Sequence, residues 1–314
     1  MKRGSSRWTA VGWHHLYLEI PEDWGIGAVS GDASTGYLRL DDAEMPRIEL
    51  RWEPARGQEP IDKVVERYLK NLTKKGRKKA PPIKVRRDLN LIKDKRLLEN
   101  RAVEGFHWRI DGDEPIQAYG ILWRCEVCSR IVFLQILGRA GESTMTLATR
   151  ILNTLQDHPV GDTVVWAMYG MTFEIPVTCA LKSHSFLTGQ IKLNFTDKSS
   201  EIELERLSLA EMHLKGRSFE EWFQDTYGHE IETLDPLSEE RLRHPGVQAS
   251  GTTVDPETVH KRLAWLPWRR PRRRPFDSCS WHCTDGNKLF TLRRMGEGAQ
   301  PEVLLDIAQS VVCH

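Results

Sequence analysis

No run of apolar residues approaches the roughly 18 that a membrane-spanning helix needs. The most apolar stretch, Ile131-Val132-Phe133-Leu134, soon closes at Gln135 and Gly138-Arg139. The basic start, Met1-Lys2-Arg3, is not followed by the apolar segment of a secretory leader, so the expectation is a cytoplasmic protein with no membrane partner. Cysteine is scarce, six in 314 residues, too few for a disulfide scaffold, and in a reducing compartment they read first as small buried hydrophobes. A surplus of one charge is also missing: 45 Lys and Arg against 44 Asp and Glu leave a net charge of +1, which removes any bulk-charge argument for a dedicated polyanion binder. Nor is there a Gly-x-x-x-x-Gly-Lys phosphate loop, a Gly-x-Ser-x-Gly nucleophile elbow, a His-Glu-x-x-His zinc motif or a Gly-x-Gly-x-x-Gly fingerprint. No catalytic residue is assigned, and the expectation is a non-catalytic binding or adaptor protein, with an enzyme whose site lies between repeats as an alternative.

What is present is the composition of a globular protein, 39% hydrophobic and 28% charged with 11 Trp, long enough for two domains. The chain also repeats itself. Leu18-Glu19-Ile20-Pro21 returns as Phe173-Glu174-Ile175-Pro176, Gly36 to Leu40 as Gly189 to Leu193, and Ile48-Glu49-Leu50 as Ile202-Glu203-Leu204, at offsets of 153 to 155. The apolar stripe Ile61, Val64, Val65, Tyr68, Leu69 has the i, i+3, i+4 spacing of an amphipathic helix and returns 158 residues on as Phe219, Trp222, Phe223, Thr226, Tyr227. Trp123-Arg124-Cys125 pairs with Trp281-His282-Cys283 at the same offset, and a closing stripe, Leu147 to Leu155, with Val303 to Val311 at 156. Two tandem units follow, 1–158 and 159–314, each read as three strands, a helix, a long variable loop, further strands and a last helix. Runs of strands with two helices per unit indicate α+β architecture, each unit an antiparallel sheet flanked by helices.

The stretch Leu16-Tyr17-Leu18-Glu19-Ile20-Pro21-Glu22-Asp23-Trp24, followed by meandering strands, a helix, more strands and a terminal helix, resembles the opening of Mog1/PsbP-like and DcrB-like domains. The resemblance covers both halves and implies a tandem duplication of that fold. The second copy departs from it by carrying Cys179 where the first has Trp24. Members of that fold bind quite different partners, so the resemblance transfers no functional residue.

Positive charge is concentrated although the total is balanced. Residues 67–101 hold 14 basic and 3 acidic side chains, and residues 261–275 hold 7 basic and none acidic. Within them Lys74, Lys75, Arg77, Lys78, Lys79, Arg86 and Arg87, and then Arg269, Arg270, Arg272, Arg273 and Arg274, form two proline-broken basic segments at comparable places in the repeat. They predict a polyanion contact, with nucleic acid as the alternative partner to another protein and Trp265 and Trp268 beside the second segment.

Zinc is the one cofactor the cysteines could hold. Cys125-x2-Cys128 falls on an expected hairpin turn and Cys279-x3-Cys283 near the equivalent place, so the four are a candidate zinc set shared by the repeats. His14 and His15 open the first expected strand and point to opposite faces. His158, His229 and His244 lack metal-ligand spacing and are read as surface residues.

Overall fold

The computed structural model describes residues 7–57, 59–75, 83–112, 115–139, 141–197, 200–238, 242–254, 273–296 and 301–313. The chain divides into two compact units, Met1–Gly170 and Met171–His314.

In the first unit the order is β1 (Trp8–Trp13), β2 (Leu16–Pro21), β3 (Gly25–Gly31), β4 (Gly36–Asp41), β5 (Pro46–Pro54), α1 (Ile61–Lys75), β6 (Ile83–Arg86), β7 (Arg101–Ile110), β8 (Ile116–Cys125), β9 (Arg130–Arg139), α2 (Thr144–Leu152) and β10 (Thr163–Met168). Seven of these strands form an antiparallel sheet in the order β3-β4-β5-β9-β8-β7-β6. Successive side chains of a strand face opposite ways, and both faces here are apolar. Val64, Val65 and Leu69 of α1 pack with Phe106, Trp108, Ala118, Leu122 and Phe133. The alternate residues Ile121, Trp123, Val132, Leu134 and Ile136 are also buried, as are Ala148, Ile151 and Leu152 of α2. Register is fixed by pairs such as Leu50 opposite Leu134 and Trp123 opposite Val132.

β1 pairs along its length with β2 and joins β10 at Gly12 opposite Ala167. His14 and His15 are not strand residues: they are the two-residue turn of the β1–β2 hairpin, with φ of 50° and 71°. Such a turn needs positive φ at both positions to match the strand twist. His14 is buried, its ring edge-on to Trp13 at 5.3 Å and to Trp166 at 5.4 Å. Packing on tryptophans thus holds a conformation that glycine usually supplies.

The second unit contains β11 (Met171–Pro176), β12 (Ala180–Leu187), β13 (Gln190–Thr196), β14 (Ser200–Ser208), α3 (Ala210–Leu214), α4 (Phe219–Tyr227), β15 (Ile231–Leu237), β16 (Gly246–Val254), β17 (Arg273–Cys283), β18 (Lys288–Gly296) and α5 (Pro301–Ser310). Its sheet runs β12-β13-β14-β18-β17-β16-β15, the strand order of the first sheet. α4 starts at a capping box in which Ser218 and Glu221 satisfy each other's backbone N–H. Its Phe219, Trp222 and Phe223 pack with Val247, Ala249 and Leu289. Leu204 lies opposite Leu292 and Trp281 opposite Phe290, whose rings stack at 5.0 Å.

The α+β expectation of helix-flanked sheets is corrected by this architecture. Among the described residues strand makes up 54% and helix 20%, in antiparallel sheets of four, seven and seven strands. The added strands come from segments without clean alternation. β3, Gly-Ile-Gly-Ala-Val-Ser-Gly, has no apolar face to announce it, and β15 and β16 lie in what reads as a variable loop. All three are hydrogen-bonded into ladders with their neighbours, with a register shift in β3 and another in β15, so ladder pairing decides what local propensity leaves open.

The Phe106 ring lies over Gly120, where a Cβ would come within 2.6 Å of it, and it stacks on Phe133 at 5.5 Å. Phe106→Ala is therefore expected to cost about 3–5 kcal/mol, the range for a fully buried aromatic. Urea denaturation of the variant checks this; a loss below about 1 kcal/mol contradicts the packing.

Candidate metal centre

The β8–β9 turn brings Cys125, the last residue of β8, and Cys128 to one end of the first sheet. After α2 the chain returns to the same place. Gln156 exchanges backbone hydrogen bonds with Tyr17 of β2 at 2.8 and 3.0 Å, and this bridge sets down Asp157 and His158 beside the two thiols. One ligand-type atom from each of Cys125, Cys128, Asp157 and His158 lies within 4.8 Å of all the others.

Cys125 Sγ is 3.6 Å from His158 Nδ1, Cys128 Sγ is 3.9 Å from Asp157 Oδ2, and His158 Nδ1 is 2.9 Å from Asp157 Oδ1. A tetrahedral zinc ion with bonds of about 2.3 Å to sulfur and 2.0–2.2 Å to nitrogen or oxygen holds such pairs about 3.4–3.6 Å apart. The observed separations bracket that range. Cys125 also borders a cleft of 420 Å³ with Arg124, Glu126 and Ser129.

The electrostatics are those of one buried carboxylate answered by arginine. Asp157 is 0% exposed, and its Oδ1 accepts a 2.8 Å hydrogen bond from Arg101, itself 13% exposed. The Arg101 guanidinium also lies 4.9 Å from the centre of the Trp123 ring. Arg130 donates to the backbone oxygens of His14 at 3.1 Å, Asp157 at 3.2 Å and Ala33 at 2.5 Å, tying the β1–β2 turn to the segment after α2. Burial, the Asp157 carboxylate and Cys125 push the Cys128 thiol up to about 12. Two thiols, a carboxylate and an imidazole so arranged are a donor set of the kind that can hold a divalent cation.

The second unit has its own group: His244, Cys283 and Cys313, with ligand atoms again within 4.8 Å of one another. Cys279 belongs to neither group. It lies four residues before Cys283 on the same face of β17, about 13 Å along a strand, so the two sulfurs cannot meet at one ion. Cys279 is buried, and burial pushes its thiol up to about 12, as for a core thiol. The sequence reading therefore found Cys125, Cys128 and Cys283 but missed Asp157, His158, His244 and Cys313. A usable signal was there: the apolar stripes Leu147 to Leu155 and Val303 to Val311 run into Asp157-His158 and Cys313-His314. His229, by contrast, is exposed as expected.

Of the basic candidates, Arg87 is clamped on both oxygens of Glu104 at 2.6 and 3.0 Å, and Arg274 pairs with Glu201 at 3.2 Å. Both are committed within their sheets. Arg86 and Arg273 are exposed. Lys74 and Lys75 end α1. Arg77, Lys78, Lys79, Arg269, Arg270 and Arg272, with Trp265 and Trp268, lie outside the described residues.

No protein-family model matches the chain, and no curated protein matches it. Among the described residues no helix is long and apolar enough to cross a membrane.

Asp157→Asn removes the charge that answers Arg101 while keeping the side chain's size. In metal-stripped protein it is expected to cost about 3–5 kcal/mol, because it strands a buried guanidinium. Denaturant titration in the presence of a chelator measures this; a change under about 1 kcal/mol shows that the ion pair is not what holds the segment.

Proposed function

We propose that the chain is a non-catalytic binding protein built from two units related by duplication, the first closed by a structural zinc ion. The observation that carries the zinc assignment is the convergence of Cys125, Cys128, Asp157 and His158 on one point. Four protein donors complete a tetrahedron and leave no position for a substrate, which is the pattern of structural rather than catalytic zinc. The ion would join the β8–β9 turn to the segment after α2, two stretches about thirty residues apart in sequence that otherwise meet through Arg101 and Arg130. Duplication is supported by the matching strand order of the two seven-stranded sheets and by hydrogen bonds that recur in each unit. Glu19 N–H donates to Thr154 Oγ1 as Glu174 N–H donates to Ser310 Oγ, both at 2.9 Å.

The partner we place on the two basic segments is an acidic surface of another protein. Arg87 and Arg274 are excluded from that contact by their carboxylate partners, which leaves Lys74, Lys75, Arg77, Lys78, Lys79 and Arg86, with Arg269, Arg270, Arg272 and Arg273, to provide it.

Metal analysis of untagged protein tests the zinc reading: stoichiometric zinc is expected in the wild type, with one equivalent lost in the Cys125→Ser/Cys128→Ser chain. An ion at about a thousand times its dissociation constant adds about 4 kcal/mol, so chelation is expected to lower the melting temperature by about 10 °C. No zinc, or melting indifferent to chelator, refutes the assignment.

Binding at low salt tests the partner. Retention of an acidic protein that falls steeply with salt and is lost on changing Arg269, Arg270 and Arg272 to Gln is the expected result. Equal loss for single-stranded nucleic acid alone assigns the segments to nucleic acid instead.

A further inference from the structure

We infer that the second unit binds its own zinc-class divalent cation through His244 Nε2, Cys283 Sγ and Cys313 Sγ. The two sulfurs stand 3.2 Å apart and Cys313 Sγ is 3.2 Å from His244 Nε2. A disulfide needs sulfurs at about 2.05 Å, so these are separate thiols. Around zinc the same pairs lie about 3.5–3.8 Å apart, and seating an ion requires outward movements of a few tenths of an ångström. Cys283 and Cys313 are buried, and His244 is partly buried just before β16.

A second observation, independent of the trio, concerns the turn that follows Cys283. Gly286 donates its backbone N–H to Cys283 Sγ at 3.3 Å, and a Cβ at that position would sit 3.1 Å from the sulfur and 3.1 Å from the Cys313 carbonyl oxygen. The absence of a side chain lets the turn close over the site. The Lys288 ammonium holds the Cys313 carbonyl at 2.6 Å, so the third donor is fixed at the end of the segment after α5.

The position in the unit is the same as that of the first centre, but the donors are redistributed. Cys283 occupies the place of Cys125 at the end of the equivalent strand, and Cys313 follows the Thr172–Val312 bridge as Asp157 follows the Tyr17–Gln156 bridge. Lys288 contacts the Cys313 carbonyl as Arg130 contacts that of Asp157. Gly286 stands where the first unit has Cys128, and the donor absent from that turn is made up by His244. Two thiolates and an imidazole select a borderline-soft cation such as zinc over magnesium or calcium.

The test uses the full untagged chain, reduced, stripped of metal and titrated anaerobically with Co(II), whose sulfur-to-cobalt charge-transfer bands report thiolate ligation. Two ions per chain are expected, with the Cys283→Ser/Cys313→Ser chain holding half as many. His244→Ala, at a partly exposed position, is expected to weaken one of the two sites at least tenfold while circular dichroism stays unchanged. In the Cys125→Ser/Cys128→Ser chain the remaining ion still shows the charge-transfer bands. A wild type that binds one ion, lost in the Cys125→Ser/Cys128→Ser chain and kept in the other, overturns this inference and leaves the first-unit zinc standing. One ion lost only with Cys283 and Cys313 does the reverse. Recovery of Cys283 and Cys313 as a disulfide from protein isolated under nitrogen with thiols blocked also overturns it.

Discussion

A carboxylate with no exposure has to be answered by positive charge, and the end of the first sheet is arranged around meeting that demand for Asp157. Arg101 supplies one answer at 2.8 Å from the first strand position of β7. Arg130, the first residue of β9, supplies another through the backbone. Both arginines are themselves largely buried, so each costs desolvation that these contacts offset together with the Trp123 ring over Arg101 and the His14 and Ala33 carbonyls on Arg130. Burial drives the Arg130 guanidinium below its ordinary value, and the nearby thiols and carboxylate work the other way. Charge, hydrogen bonding and chain path are therefore coupled: if the segment after α2 leaves the sheet, Arg101 loses its carboxylate partner and Arg130 one of its three backbone acceptors. The thiols of Cys125 and Cys128 and the imidazole of His158 stand in the field of that same carboxylate.

The second unit solves the corresponding problem with less charge. Cys313 replaces the carboxylate and Lys288 the arginine, with the lysine bonded to a backbone oxygen. Burial pushes the Lys288 amine down and, with Cys283, pushes the Cys313 thiol up to about 12. The common element is geometric. In both units an antiparallel pair of long strands ends at a cysteine, a four-residue turn follows, and a terminal helix delivers a short segment to that turn. The pair of positive φ values at His14 and His15 has its counterpart at Tyr169 and Gly170, with φ of 50° and 69°. There the second position is the glycine such a turn prefers, whereas the β1–β2 turn carries two histidines, the first of them held by tryptophan packing.

Much of the strand and helix pattern was legible because it rests on local periodicity. The stripe Ile61 to Leu69 became α1, Phe219 to Tyr227 became α4, and Arg47 to Trp52 lies within β5. The balance of helix and strand was not legible. β12 and β15 are edge strands with mostly exposed residues, and an edge strand needs a neighbour's ladder, not an apolar face. The sites were half legible for a similar reason. Cys125-x2-Cys128 is local, so spacing revealed it. Asp157 and His158 reach it only through the bridge from Gln156 to Tyr17, a contact across 139 positions that no local pattern encodes. Cys279 was included on its short spacing to Cys283 although Ser278 to Cys283 has the look of a strand, and the strand, which runs to Cys283, keeps the two apart.

That last error separates turn chelation from strand placement. Residues i and i+3 across a tight turn can direct two side chains at one point, as Cys125 and Cys128 do. Residues i and i+4 in an extended strand share a face but stand about 13 Å apart. A turn can therefore contribute two donors or one, according to whether its third residue past the strand carries a thiol or is glycine. With Cys128 the turn contributes two, and the returning segment contributes Asp157 and His158. With Gly286 it contributes Cys283 alone plus a backbone N–H, and the set is completed from Cys313 and from His244 ahead of the neighbouring strand. The scaffold fixes the meeting point, and single residues at its rim decide which chain segments the meeting point binds together.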